Sequence, residues 1–138
     1  MIFVDTSFLF PLLSTHDRDH PRVREVFEGF GNRRLPDYLL TTNHVVGETI
    51  TLARVRGGHD LAVSVGHYLY SEKMARIHWA RPEQEKAAFA YLAKHADKDY
   101  SFVDCLSFVV MDAFGISEAW AVDSDFTHRF VVRPGPAR

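Results

Sequence analysis

Short apolar segments alternate with longer segments of helical periodicity along the chain, and this alternation constrains the fold more than any other feature. Five apolar segments have the length of β-strands and little polar alternation: residues 2–5, 37–42, 75–80, 119–123 and 130–132. Strands of this kind, separated by helices, are typical of a parallel sheet with helices on both faces. The sequence therefore predicts an α/β fold with three layers, α/β/α, around a central, mostly parallel five-stranded sheet.

Polar caps and chain breakers mark where the intervening helices begin and end. We expect Thr6 or Ser7 to cap the first helix, and Asn43 to cap the helix after the second strand. Ser101 should begin the helix of the segment YSFVDCLSFVVM, which should end near Gly115. The remaining helices are expected from Pro21, over residues 60–71 and from Pro82.

Length and composition exclude several classes of protein. A chain of 138 residues is long enough for one domain with a single core, so we expect one domain over residues 1–133 and a short flexible tail over 134–138. We find no signal peptide and no apolar run near the roughly 18 residues of a membrane span. The single cysteine, Cys105, rules out an internal disulfide. These features predict a cytoplasmic protein without a membrane partner.

Four acidic residues fall where such a fold brings distant segments together. Asp5 ends the first strand and Asp123 ends the fourth. Glu48 lies in the second turn of the helix after strand two, and Asp104 lies in the first turn of the helix capped by Ser101. Strand ends and the starts of the following helices share one rim of a parallel sheet. A helix cap or a capping box explains Asp5 or Asp104 singly, but not why four acids converge.

Converging carboxylates predict a metal site. Carboxylates packed together repel one another and their pKa values rise unless a cation neutralises them. Mg²⁺ and Mn²⁺ prefer oxygen ligands, so Mg²⁺ is the expected cofactor and Mn²⁺ a substitute. Two such ions about 3.5–4 Å apart activate water and stabilise the leaving oxygen of a phosphodiester. The formal net charge of -2 gives no overall basic surface for nucleic acid, but bound cations can supply a local positive field.

Four segments, FVDTSFLF, VVGETITL, YSFVDCLSFVVM and AWAVDSDF, carry a resemblance to a known family. Their order and spacing resemble the PIN-domain family, and more closely its VapC-type toxins of type II toxin–antitoxin systems. The resemblance covers essentially the whole chain. It implies a PIN-like fold and a Mg²⁺-dependent endoribonuclease that hydrolyses tRNA, rRNA or mRNA by metal-activated water. It also implies inhibition by a cognate antitoxin protein.

The resemblance assigns roles to particular residues. The acids that it implies to be catalytic and to bind the metal are Asp5, Glu48, Asp104 and Asp123. Ser7 and Ser101 would orient a carboxylate or a water molecule. Asp125 stands where many relatives carry histidine, and it is a ligand, a group that orients one, or a helix cap. Whether Asp123 or Asp125 is the fourth acid stays open, with Asp123 favoured because it directly follows a strand.

A homodimer is also expected, because apolar side chains expected at the surface, namely Val63, Tyr68 and Leu69, could serve either a dimer or an antitoxin helix. Two other functions compete with the nuclease. One is a non-catalytic PIN-fold module that binds RNA or protein. The other is a haloacid-dehalogenase-type phosphatase, which is disfavoured because Ser7 stands where that chemistry places a second aspartate.

Two further groups of residues allow more than one interpretation. His16 and His20 are spaced for a zinc site, but a solvated loop in which Asp19 caps the next helix is favoured. Four arginines are candidates for contacts to RNA phosphates and equally for ordinary surface charge: Arg33, Arg34, Arg54 and Arg56.

Overall fold

The computed structural model describes residues 1–137, so Arg138, the last residue of the expected tail, lies outside the described residues. Its sheet has five strands: β1 (Ile2–Val4), β2 (Leu39–Thr42), β3 (Arg76–His78), β4 (Glu118–Ala121) and β5 (Val131–Pro134). All neighbouring strands pair in parallel, in the order β3-β2-β1-β4-β5. The predicted α/β fold with a five-stranded parallel sheet is confirmed.

Six helices surround the sheet: α1 (Thr6–Leu13), α2 (His20–Gly29), α3 (Asn43–Gly57), α4 (His59–Tyr70), α5 (Pro82–Lys94) and α6 (Phe102–Phe114). A short 3₁₀ turn, Leu35–Asp37, precedes β2. Helices α1 to α4 pack together, and α5 packs with α6. The sheet separates the two groups, which gives the three predicted layers.

Aromatic side chains fill both faces of the sheet between these helices. On one face Phe8 of α1 lies 4.9 Å from Trp120 of β4, measured between ring centroids. On the other face Phe3 of β1 stacks on Phe126, which in turn meets Phe108 of α6 edge-on. Burial of this many large rings is the main force that fixes the strands against the helices.

The helix ends agree with the predicted elements, but two caps were assigned one or two residues too late. Asp5 caps α1, because its side chain accepts a hydrogen bond from the Ser7 backbone N–H. Thr42 caps α3 through the Val45 N–H, while Asn43 lies inside the helix and accepts a bond from the Ala80 N–H. Ser101 caps α6 and Gly115 ends it with a φ of 66°, as predicted.

One predicted surface residue is buried. Leu69 is only 3% exposed, because Ala62, Val65 and Leu69 form the stripe of α4 that faces the core. Val63 is 44% exposed, and Tyr68 is half-buried. The expectation of an exposed Leu69 is therefore wrong.

The C-terminal segment is attached to the body of the fold as far as it is described. Strand β5 continues through Pro134, and the Gly135 N–H donates to the Ala121 carbonyl at 3.0 Å. Arg22 of α2 donates to the Gly135 carbonyl at 2.7 Å. The division into a domain over 1–133 and a flexible tail over 134–138 stays a prediction.

Within residues 1–137, none of the helices combines the length and the apolar character that crossing a bilayer requires.

Candidate active site

One cavity of about 580 Å³ opens at the carboxyl ends of β1 and β4. This is the rim at which ligands collect in open parallel sheets. The acids predicted from the sequence all line it: Asp5, Glu48, Asp104, Asp123 and Asp125. Ser7 and Ser101 line it as well. The fold thus brings together every residue that the sequence nominated for the site.

Asp5 occupies the junction between β1 and α1 and is 3% exposed. Its Oδ2 accepts the hydrogen bond from the Ser7 N–H at 3.0 Å, which fixes the carboxyl plane. Its Oδ1 is buried and has no hydrogen-bond partner within the part of the chain that the structure describes. An unpartnered buried carboxyl oxygen costs free energy unless a donor or a cation meets it.

Ser7 connects α1 to the segment after β4. Its Oγ accepts a hydrogen bond from the Val122 N–H at 2.9 Å, across 115 positions of sequence. This bond sets the start of the loop that carries Asp123, which lies two residues beyond the end of β4 rather than directly at it. The Asp125 N–H then donates to Asp123 Oδ1 at 3.2 Å. The two neighbouring acids of this loop are therefore held in one turn.

Asp104 enters the cavity from the first turn of α6. It forms the predicted capping box: Ser101 Oγ accepts from the Asp104 N–H, and Asp104 Oδ2 accepts from the Ser101 N–H, both at 3.0 Å. The structural and the proposed catalytic roles of this carboxyl group are thus compatible, because the cap occupies one of its two oxygens.

Glu48 is the most exposed of the acids that line the cavity. Its helix α3 is fastened to α1 by a buried contact in which Thr6 Oγ1 lies 3.1 Å from Thr49 Oγ1. The Thr49 hydroxyl donates in turn to the Val45 carbonyl at 2.7 Å. This contact places Glu48 at the cavity, close enough for its charge to raise the pKa of Asp5.

Three of these carboxyl groups hold their protons far more tightly than ordinary aspartates. Burial raises the pKa of Asp5, of Asp104 and of Asp123 to about 7 in each case. Repulsion adds to the effect, from Asp104 and Glu48 on Asp5, from Asp125 and Asp123 on Asp104, and from Asp5 and Asp125 on Asp123. Such mutual repulsion is the signature of acids that share one site.

The donor set fits a hard divalent cation. The acids offer only oxygen, which Mg²⁺ and Mn²⁺ prefer, and a positive charge would meet the unpartnered Asp5 Oδ1 and relieve the repulsion. As the side chains stand in residues 1–137, no three of the His, Cys, Asp or Glu residues are arranged to hold one ion. The acids therefore line the cavity without forming a closed coordination shell.

Other residues line the cavity that sequence reasoning did not place there. Asp17, Arg18 and Asp19 belong to the polar loop before α2, where the sequence favoured a solvated turn. Asp19 occupies the N-cap position of α2 but makes no side-chain cap bond, and lies 3.4 Å from Arg22 instead. The only sequence signal was the acidic pattern HDRDH. His20 was considered with His16 as a possible zinc ligand. Its Nδ1 lies 2.8 Å from the Pro11 carbonyl oxygen.

A parallel sheet of this order with acids at one rim defines the class of the protein. The chain belongs to the PIN-domain family, whose sequence pattern matches residues 2–129. This membership contradicts the haloacid-dehalogenase alternative. Together with the relatives described next, it confirms the prediction of a VapC-type endoribonuclease.

Individual relatives are closely similar. The chain is 38% identical over 127 residues to the 23S rRNA-specific endonuclease VapC20 of Mycobacterium tuberculosis, in both strain CDC 1551 / Oshkosh and strain H37Rv, covering 92% of each chain. The crystal structure of Mycobacterium tuberculosis VapC20, a Sarcin-Ricin loop cleaving toxin, superposes with a TM-score of 0.83 at 35% identity. That match covers 93% of this chain and 94% of the other.

Proposed function

We propose that the protein is a Mg²⁺-dependent endoribonuclease toxin that cleaves 23S ribosomal RNA at the sarcin–ricin loop. The observation that carries the metal requirement is the buried, unpartnered Oδ1 of Asp5 among acids whose pKa values are raised to about 7. The RNA target rests on the similarity to VapC20 over 92% of both chains. Mn²⁺ should substitute for Mg²⁺, since it takes the same oxygen ligands.

The chain's own residues would hold the metal and orient the substrate. Asp5, Asp104 and Asp123 offer the ligand oxygens, with Glu48 at the exposed side of the cavity. Bound Mg²⁺ supplies Lewis-acid chemistry, which activates water and stabilises the leaving oxygen of the phosphodiester.

The serines reduce the reorganisation that the reaction requires. The Ser7 N–H and the Ser101 N–H each fix one carboxylate oxygen, so Asp5 and Asp104 are oriented before substrate arrives. Asp125 acts in the same way on Asp123 through its backbone N–H. We therefore assign the ligand role to Asp123 and a supporting role to Asp125.

The partners follow from this activity. A cognate antitoxin is expected to block the enzyme, and ribosomal RNA as substrate places it in the cytoplasm. We also propose the homodimer that the sequence led us to expect. Exposed apolar side chains at Val63, Tyr70 and Trp79 offer surface of the kind that protein association buries.

The proposal is tested by incubating the purified full chain with 23S rRNA and with a stem-loop oligonucleotide of the sarcin–ricin sequence, in Mg²⁺ or in EDTA. We expect a single cut in both RNAs with Mg²⁺ and none in EDTA. Asp104→Asn should lower the rate on the order of 10²-fold or more, because it removes charge stabilisation at the reacting centre. Asp97→Asn, an exposed acid outside the cavity, is the matched control and should keep the wild-type rate.

Two results would contradict the proposal. Full cleavage in EDTA would remove the metal from the reaction. Metal binding by the folded chain without any RNA cleavage would favour the non-catalytic binding module that the sequence left as an alternative.

A further inference from the structure

The cavity that holds the acids also contains arginine. Glu48, Leu52 and Arg56 stand at intervals of four residues on α3 and all line the cavity. Eight residues of α-helix rise by about 12 Å, so Arg56 stands about 12 Å along α3 from Glu48. The cavity therefore runs from the acidic rim, beside α1 and α3, toward a positive charge.

Arg56 is held in place without being neutralised. Its guanidinium carbon lies 5.5 Å from the centroid of the Phe10 ring, a residue of α1 that is itself buried. A cation–π contact of this kind orients the guanidinium and leaves its N–H donors available. None of the ion pairs formed among residues 1–137 involves Arg56.

The other three candidate arginines from the sequence do not line the acid-lined cavity. Arg34 pairs with Asp37, and Arg33 lies over Phe30 and Tyr38, away from the acid-lined cavity. Arg54 shares the last turn of α3 with Arg56 and is also exposed, but it does not line the cavity. Of the four candidate arginines, Arg56 is therefore the one that lines the acid-lined cavity.

We propose that Arg56 binds a backbone phosphate of the RNA strand, at a position about 12 Å along α3 from the acids. This inference rests on the proposed function, because it assumes that RNA occupies the cavity. Phosphate is the expected ligand because arginine's planar fork of donors matches it and because every nucleotide of the strand presents one. The contact would position the strand without reading its sequence.

The salt dependence of RNA binding distinguishes this role from ordinary packing. Each phosphate neutralised on a single strand makes the slope of log K against log salt more negative by about 0.7. Loss of one such contact should weaken binding about eightfold at 0.05 M salt and about threefold at 0.2 M salt. A side chain that only packs on Phe10 would not change the slope.

Binding is measured with the full chain carrying Asp5→Asn, so that the RNA stays intact, and the probe is the sarcin–ricin stem-loop in potassium chloride with EDTA. Arg56→Ala should make this negative slope shallower by about 0.7, whereas Arg54→Ala removes the same charge from the same helical turn and should leave the slope nearly unchanged. Arg56→Lys keeps the positive charge and should restore most of the slope. Thermal unfolding of each variant shows whether the fold is retained.

The outcomes separate this inference from the proposed function. Equal slopes for Arg56→Ala and Arg54→Ala overturn the phosphate contact, and wild-type cleavage of the same RNA in Mg²⁺ would then leave the proposed function standing. If the wild type neither cleaves nor binds the RNA, both are overturned. A reduced slope in Arg56→Ala that Arg56→Lys restores supports the contact.

Discussion

Replacing Asp5 by asparagine tests whether the charge of this buried carboxyl group destabilises the metal-free folded protein. Its pKa is about 7 in the folded chain, against an ordinary value of 3.8. From about pH 4 to pH 7 the folded state therefore holds a proton that the unfolded state has released. By linkage, the stability contributed by this group is fully present below pH 3.8 and is lost as the pH rises through about 7.

The expected magnitude follows from the same pKa values. In EDTA, the cost of the Asp5 charge should grow by about 3 kcal/mol between pH 5 and pH 8, at 1.36 kcal/mol per pH unit up to the folded pKa. Asparagine does not titrate, so the difference in unfolding free energy between Asp5→Asn and the wild type should shift by that amount in favour of asparagine. Any cost of the buried amide is present at both pH values and cancels.

The assay is urea denaturation in EDTA at pH 5 and pH 8, followed by far-ultraviolet circular dichroism. Asp97→Asn, an exposed aspartate in the loop before Ser101, is the control and should show a shift under about 0.5 kcal/mol. If the stability difference between Asp5→Asn and the wild type is the same at both pH values, Asp5 is not protonated in the folded protein, and the argument for a cation at this site loses its main support.

Three further results are expected. Mg²⁺ at 100 times its dissociation constant should raise the unfolding free energy of the wild type by about 2.7 kcal/mol and that of Asp104→Asn by much less; equal gains would contradict a ligand role for Asp104. Ser7→Ala should cost about 1–3 kcal/mol in urea denaturation, because a backbone N–H after β4 loses its acceptor, whereas the exposed Ser64→Ala should stay within about 0.5 kcal/mol. Arg129 donates to both carboxylate oxygens of Asp112, but Asp112 is half exposed, so a double-mutant cycle should give a coupling of about 0.2–1 kcal/mol; a value above about 2 kcal/mol would show that the pair is shielded from solvent.

The topology and the position of the acids could be predicted from sequence because both follow from local patterns. Short apolar strands between helices require parallel pairing, and parallel pairing sends every strand end to one rim. The sequence therefore predicts that Asp5 and Asp104 lie close together, although 98 residues stand between them in the chain.

The remaining features depend on tertiary packing. Thr42 rather than Asn43 caps α3, because the pairing of β2 with β3 determines where the strand ends. Local sequence propensity does not indicate that end. Leu69 was misplaced because α4 carries apolar residues on two sides and only its packing against α3 selects one. The loop with Asp17 has no periodicity, and its acidic pattern HDRDH is equally typical of a solvated turn, so its place at the cavity could not be predicted.

The bond between Ser7 and Val122 joins the beginning of the chain to its last fifth. During translation, Asp5 and Glu48 emerge before Asp104, before the strand that must pair beside β1, and before Asp123. A nascent or truncated chain that lacks this region has neither a complete sheet nor a complete acidic cavity. The acidic cavity is therefore a late product of folding, because it is complete only once β4 and the loop that carries Asp123 have joined β1.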